Sequence, residues 1–465
     1  MRILAIIHNF PPAHRAGSET YALHLATALR AESPDIAVSV ISTDTRPHEA
    51  PYAVRRYELD GMEVYEINQP QDHIRFSDSF SDRFIERHVA TRIEVFRPDV
   101  VHIHHLMHLS AGIVGIIPPD AARVMHLHDY WLSCPRGGLR MDASGGLCGQ
   151  IDPQKCARCI AGEYADISAP GRLAERWESL APIPVEAASL AGGGSVRRLI
   201  RAAVTRMGPP AGLPPKYNPE AVRSDLALRR TALTEAAAGI DRFIAPSRFL
   251  RDEMIRWGLP ESRIIYSDYG FQSPRETVAH SRGGPFTIGF AGTLAPHKGA
   301  HVLIEAFRNL FGRTRSPVAL RIFGNRSHFP SYVRMLDSLA RGLPVEWAGP
   351  FDDAGRDAAY RSLDVLVVPS LWWENSPLTI HEAWQRGVPA VVSDLGGMRE
   401  LVTDETLRFP AGDATALAGR LVHLAVDRPL VDRLARSAPP VKSIMDDARW
   451  TLGLYEELVS ARRRS

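Results

Sequence analysis

Short Val- and Ile-rich runs alternate with amphipathic stretches of helical period along most of this chain. Strand-type runs fall at 2–7, 36–42, 62–67, 99–104 and 123–127, and again at 241–245, 262–267, 286–291, 318–323, 344–347, 364–368, 388–392 and 406–409. Between them lie segments such as ETYALHLATALRA (19–31), AHVLIEAFRNLF (300–311) and YVRMLDSLARG (332–342). Such alternation predicts an α/β fold, in which helices cover parallel sheets. Runs such as ILAII and LDVLVV are apolar at nearly every position, as suits strands buried on both faces. HSRGGP (280–285) reads as a linker between two such halves.

Composition narrows the class. The chain has 465 residues, 45% hydrophobic and 23% charged, which is ordinary for a soluble globular protein of two to three domains. A net charge of +2 gives no strong field for nucleic acid, and no nucleic-acid partner is expected. ILAII is too short for the apolar region of a signal peptide and reads as a first strand. No apolar run reaches the roughly 18 residues of a spanning helix. A cytoplasmic location is the expectation. Residues 130–235 break the rhythm with Pro- and Gly-rich sequence and read as an insertion in the first half. Within it, SVRRLIRAAVTRM (195–207) draws as a basic amphipathic helix, which suits an exposed arm or an anionic membrane surface.

WWENSPLTIHEA (372–383) places Glu374 and Glu382 eight positions apart, between LDVLVV and RGVPAVVSDLGG. Ser376 is expected to cap a helix with Pro377 as its first residue, and Gly387 to take the left-handed position after its end. That makes a βαβ unit, with Glu374 in the loop at the carboxyl end of a strand and Glu382 about two turns into the helix. Ligands of open parallel sheets bind at that end. Both carboxylates are then within reach of one ligand, beside the amides of Ser376–Thr379, which suit an anion.

With FAGTLAPHKGAHVLIEAF (290–307) and PSLWWENSPLTIHEAWQRGVPAVVSDLGGMREL (369–401), the chain resembles the retaining, GT-B-fold glycosyltransferases of family 4, the group 1 glycosyl transferases. The resemblance covers most of the second half, and roughly 1–130 and 235–275 of the first. It implies two Rossmann-like domains facing across a cleft: 1–280 for the acceptor, 281–447 for the nucleotide sugar, and a last helix (448–465) crossing back. It implies hexosyl transfer from a nucleoside-diphosphate sugar to a hydroxyl of a glycan or lipid-linked acceptor, as in cell-surface polysaccharide synthesis. No catalytic metal is implied, and the location would be cytoplasmic or peripheral at the inner membrane face. A catalytically impaired nucleotide-sugar-binding scaffold and a GT-B epimerase or phosphorylase are the alternatives.

Carried over by position, the resemblance makes Glu382 the holder of the ribose hydroxyls and Glu374 a contact of the donor sugar. Asn375, Ser376, Pro377 and Leu378 would face the sugar or phosphates. Lys298, in the P-H-K-G turn, would pair with the diphosphate. Thr293 stands where the family often has Arg, so a second cation is missing; Arg248 and His297 are candidates to replace it. In HNFPPAHRAGSETYALHLA (8–26), Ala16-Gly17 matches a glycine pair of which Gly17 remains, letting backbone approach phosphate at a helix start. In MHLHDYW (125–131), His128 matches the histidine near the reacting carbon, with Asp129 placed to orient it. His102 and His104 alternate on a strand and so face the same way; a polar acceptor-side lining is the favoured reading, metal ligation the lesser one.

Cys134, Cys148, Cys156 and Cys159, all the cysteines of the chain, fall within 26 residues of one another and end in C-x-x-C. Four thiols so close suggest a structural tetrahedral Zn²⁺, with an iron–sulfur cluster or unligated thiols as the alternatives.

Overall fold

The computed structural model describes residues 1–69, 76–142, 144–165, 219–275, 284–314 and 316–464. The basic stretch 195–207 lies outside them. Two sheets organise the chain, as the alternation predicts. In the first half the strands are β1 (Arg2–Ile6), β2 (Ala37–Asp44), β3 (Val54–Leu59), β4 (Met62–Asn68), β5 (Val100–Ile103), β6 (Ala122–His126), β7 (Arg242–Ala245) and β8 (Ile264–Tyr266). They are ordered β3-β4-β2-β1-β5-β6-β7-β8, all parallel except the β3–β4 pair. In the second half, β9 (Phe286–Ala291), β10 (Val318–Phe323), β11 (Val345–Trp347), β12 (Val365–Val368), β13 (Ala390–Ser393) and β14 (Arg408–Phe409) form a parallel sheet ordered β11-β10-β9-β12-β13-β14.

The apolar runs behave as two-sided strands. In β1 and the residue after it, Ile3, Ala5 and Ile7 enter one core with the helices Gly17–Glu32 and Ile444–Arg464; Leu4 and Ile6 enter another with Ile85 and Val89 of the helix Arg83–Phe96 and Leu250 and Met254 of the helix Arg248–Trp257. Burying a Leu or Ile side chain contributes about 1.5–3 kcal/mol, so these runs commit each strand to covering on both sides. The C-terminal helix Ile444–Arg464 belongs to the core of the first half through Ala448, Tyr455 and Leu458. The chain crosses between halves as two neighbouring extended segments: Phe271 N donates to Lys442 O (2.9 Å) and Ile444 N to Phe271 O (2.8 Å).

Each sheet has one place where strand order reverses, between β1 and β5 in the first and between β9 and β12 in the second. Successive loops there leave in opposite directions and open a crevice. The loops carrying Gly17, His104, Lys298 and Glu374 all leave from these strands. β3 was not foreseen: VRRYEL is an edge strand exposed along much of its length, so it lacks a continuous apolar run.

Candidate functional site

In the second half, the β9 loop holds Lys298 and the β12 loop holds Glu374. Lys298 Nζ donates to Glu374 Oε1 at 2.7 Å, and Ser370 Oγ donates to the same oxygen at 2.7 Å. Glu374 is 5% exposed. Burial pushes its carboxyl upward, but the Lys298 charge and the hydrogen bonds from Lys298 and Ser370 outweigh burial and hold it below the usual range. Lys298 also lies over the Trp372 ring, 4.9 Å from its centroid. Two glycines make this packing possible. Gly299 (φ +72°) brings the P-H-K-G turn against the carbonyl of Pro369, and a Cβ there would strike that oxygen. Gly397 lies equally close to the Asn375 carbonyl while its N–H donates to Glu374 O at 2.8 Å.

Glu382 faces a different place. It lines a cleft of about 320 Å³ between the halves, shared with Thr20, His24, Gln272 and Leu378. Tyr360 Oη donates to Glu382 Oε2 at 2.7 Å, and Arg356 Nε is 3.1 Å from Oε1. A carboxylate has about four acceptor positions, so it retains capacity for two hydroxyls. Thr20, Tyr21 and His24 form the opposite wall, and Gly17, at the start of their helix, packs against Leu378: a Cβ there would sit 3.3 Å from Leu378 Cδ1. Lys298 and Glu374 do not line this cleft; Arg356 is its cation. No sequence pattern pointed to Arg356, whose position depends on strand order rather than on a motif.

The helix after Glu374 differs from expectation. It runs Leu378–Trp384 with Pro377 at the cap position and no side-chain cap. Ser376 does not cap it, because its hydroxyl donates to Asp268 Oδ1 (2.7 Å) in the other half. Its N–H is also taken, by Asn375 Oδ1 at 2.5 Å. The amides open to an anion are thus narrowed to Leu378 and Thr379. Gly387 does adopt the left-handed conformation (φ +68°). Asp268, which sequence reasoning missed, also pairs with His381 Nε2 at 2.9 Å. Burial raises the Asp268 carboxyl, and the His381 and Ser376 hydrogen bonds more than reverse this, so it lies below its ordinary value.

Neither candidate for the missing cation near Thr293 lines this cleft. Thr293 is exposed. Arg248 is solvent-exposed, 3.5 Å from Glu400 and stacked over Tyr266. His297 is pushed down to about 4 by burial and by Lys298, so it is neutral at pH 7.

His128 reaches the interface between halves, where Asn375 Nδ2 donates to its carbonyl oxygen. Its Nδ1 is 2.8 Å from Tyr269 Oη and its Nε2 is 3.2 Å from His104 Nδ1. Asp129 does not orient it. Asp129 instead pairs with His105 Nε2 (3.1 Å) and accepts from Trp131 N (2.7 Å), because His105 follows β5 directly across from it. His102, His104, His126 and His128 alternate onto one face of β5 and β6 and the residues that follow, beneath Tyr455 of the C-terminal helix, whose hydroxyl is 2.5 Å from His102 Nδ1. His102, His104 and His126 could present ring nitrogens within 4.8 Å of one another. Their rings are stacked, however, at interplanar angles of 8–27°. Lone pairs lie in the ring plane, so near-parallel rings aim them side by side rather than at one ion. Burial lowers all four imidazoles well below the usual histidine value, His102 to about 3. This is a column of neutral rings under the cleft.

The four cysteines converge on one cavity. None is in a disulfide. Burial, then Cys134, Cys148 and Cys159, push the Cys156 thiol up to about 11.

Comparisons with known proteins agree with this architecture. Residues 16–158 match the family described as glycosyl transferase 4-like domain, and 285–427 match glycosyl transferases group 1. A phosphatidyl-myo-inositol mannosyltransferase of Mycobacterium leprae is 36% identical over 133 residues, 28% of this chain and 34% of that protein. The match therefore spans about a third of that relative's length. Two solved structures superpose over nearly the whole chain. Sucrose-phosphate synthase of Thermosynechococcus elongatus has a TM-score of 0.60 at 15% identity over 99% of both chains. An Anabaena protein solved with UDP and glucose has a TM-score of 0.54 at 14% identity, over 99% of this chain and 98% of that one. These likenesses support the fold, and the two family matches together cover more than half of the residues. The chain thus has the GT-B fold, with a segment in its first half matching the glycosyl transferase 4-like domain and one in its second half matching glycosyl transferases group 1.

Proposed function

We propose that this protein transfers a hexose, with retention of configuration, from a nucleoside-diphosphate sugar to a hydroxyl of a glycan or lipid-linked acceptor in the assembly of cell-surface glycans. The observation that carries this reading is the Lys298–Glu374 ion pair (2.7 Å) at the strand-order reversal of the second sheet, with Glu382 facing helix Gly17–Glu32 across the cleft. Glu382 holds the ribose hydroxyls. Lys298 is the cation for the diphosphate, a point charge on a flexible stem suited to a departing phosphate. Donor binding exchanges part of the Lys298–Glu374 contact for phosphate on one side and sugar hydroxyls on the other. In the retaining route the acceptor attacks on the face the diphosphate leaves, and a diphosphate oxygen takes the acceptor proton. His128 stands at the reacting end as a neutral imidazole. The name of the mycobacterial relative puts activated mannose first among donors and a phosphoinositide lipid among acceptors to try. A lipid acceptor also accords with peripheral association with a membrane; no helix among the described residues is long and apolar enough to cross one.

A thermal-shift panel of nucleotide sugars tests the donor, because a ligand that binds only the folded state raises its stability. One nucleotide sugar is expected to raise Tm, and Glu382→Ala to weaken that shift and lower transfer at least about tenfold, or roughly 1.4 kcal/mol. No shift with any donor, or Glu382→Ala turning over at the wild-type rate, refutes the assignment. A donor-induced shift with neither transfer nor slow donor hydrolysis identifies a binding scaffold instead.

A further inference from the structure

The sequence brings four cysteines near one another, but the fold does more. Cys134 lies in the turns that follow β6. Cys148 follows a short hairpin closed by the Met141–Leu147 bridge, whose turn is held by Asp142 Oδ1 accepting from Gly146 N at 2.9 Å. Cys156 and Cys159 stand three residues apart on the helix Pro153–Ala165, and so share a face. All four side chains line a single cavity of about 360 Å³ walled by Met141, Ile151 and Ile160.

Basic side chains stand around the cavity, alongside the carboxylates of Asp142 and Asp152. Lys155 lines it, and Arg140 binds Cys148 O (2.9 Å) and Gly149 O (3.1 Å) through its guanidinium. Arg229 is 4% exposed, and its hydrogen bonds go to the carbonyls of Trp131 and Leu132; no carboxylate contacts it among the described residues. A buried guanidinium is unfavourable without an anion close by, and the acidic groups acting on this one are Cys134, Asp129 and Cys156. Four thiolates around a divalent ion carry a net charge of about −2 and would supply that anion. The main-chain N–H of Arg140 already donates to Cys134 Sγ at 3.3 Å, the kind of bond that stabilises a ligating thiolate.

We infer that Cys134, Cys148, Cys156 and Cys159 form a structural tetrahedral Zn²⁺ site. As placed, no three of the sulfurs lie within 4.8 Å of one another, so ligation draws them inward to S···S separations of about 3.8 Å, set by Zn–S bonds of about 2.3 Å. With four thiolates bound the ion has no open position, so its role is to fasten the loop. Arg140, in that loop, stacks 4.8 Å over Trp373, the neighbour of Glu374, and pairs with Glu253 at 3.0 Å. The ion therefore fixes one flank of the donor loop from the opposite half of the molecule.

The test is metal content and spectroscopy of the full chain, read without any activity and so independent of the proposed function. Protein purified under reducing conditions, loaded with Zn²⁺ and freed of excess, is expected to retain about one zinc per chain by mass spectrometry. Co²⁺ in its place is expected to show thiolate charge-transfer bands and the d–d bands of a tetrahedral centre. The double variant Cys148→Ser/Cys156→Ser is expected to lose both. Retained zinc in that variant, wild type with no stoichiometric zinc, stoichiometric iron with sulfide, or disulfides among these cysteines in freshly purified protein would each overturn the inference. The cobalt spectrum of the wild type decides the matter even if the variant does not fold.

Discussion

Lys298→Ala is expected to destabilise the protein by about 3 kcal/mol and to reduce transfer more than any other single change in the β9 loop. The stability loss comes from the partner left behind. Glu374 is 5% exposed, with Lys298 as its counter-charge at 2.7 Å. Removing one member of a buried pair leaves an uncompensated charge, which costs about 3–5 kcal/mol; the lower end applies because Lys298 itself is partly exposed. The contribution of Glu374 to the pH dependence should change sign. In the wild type the Glu374 carboxyl lies below its unfolded value. The unfolded state then binds the proton more readily, and this contribution is present above the unfolded pKa and lost as pH falls through the folded one. In Lys298→Ala the burial contribution is no longer outweighed, so the folded pKa rises above the unfolded one. The stability deficit relative to wild type should then shrink on acidification. The double variant Lys298→Met/Glu374→Gln removes both charges and should regain most of the stability while staying inactive. Denaturant unfolding at pH 5 and pH 7 on the three proteins measures this. A single variant as stable as wild type, or a double variant no more stable than the single, rules out the ion pair as the source of the effect.

The histidine column predicts a second large effect. His102, His104 and His126 are at most 2% exposed, and burial holds each well below the usual histidine value. An unfolded imidazole titrates near 6.5, so below that pH the unfolded state binds protons that the folded state refuses. The folded pKa is depressed, so this stability is present above about pH 6.5 and falls away as pH drops toward the folded values. Between pH 7 and pH 5 each ring costs up to about 2 kcal/mol, a large part of the 5–15 kcal/mol that holds a typical domain together. The unfolding midpoint should therefore drop steeply over that range, and His126→Phe should flatten the slope by about one ring's share. A midpoint that stays level down to pH 5 would mean that the column carries protons in the folded state.

Much of the architecture was legible because it rests on local pattern. Two-sided burial wrote continuous apolar runs into the parallel strands, and a repeating strand–helix order implied crossovers. The element left out, Val54–Leu59, is the antiparallel edge strand: with no fully buried residue, it needs no such run. The motif residues were legible in the same way, since Glu374, Glu382, Lys298, Gly17 and His128 follow strand ends, where loops of an open sheet gather. Their partners were not. Ser376 looks like a cap until Asp268, 108 residues away, takes its hydroxyl, and Asp129 sits beside His128 in sequence yet binds His105 across β5 and β6.

The sequence by itself determined which segments become strands and helices, which loops follow the strand ends, and that four cysteines lie near one another, because these depend on side-chain periodicity and on spacing within a turn or two. Tertiary structure alone decided that Lys298 meets Glu374, that Arg356 rather than Arg248 or His297 is the cation in the cleft, that three histidines stack neutral in the core, and that Arg140 ties the cysteine loop to Trp373. Those contacts join residues far apart in the chain. They are set by strand order, by the one reversal of that order in each sheet, and by how one half rests on the other, none of which leaves a local mark in the sequence.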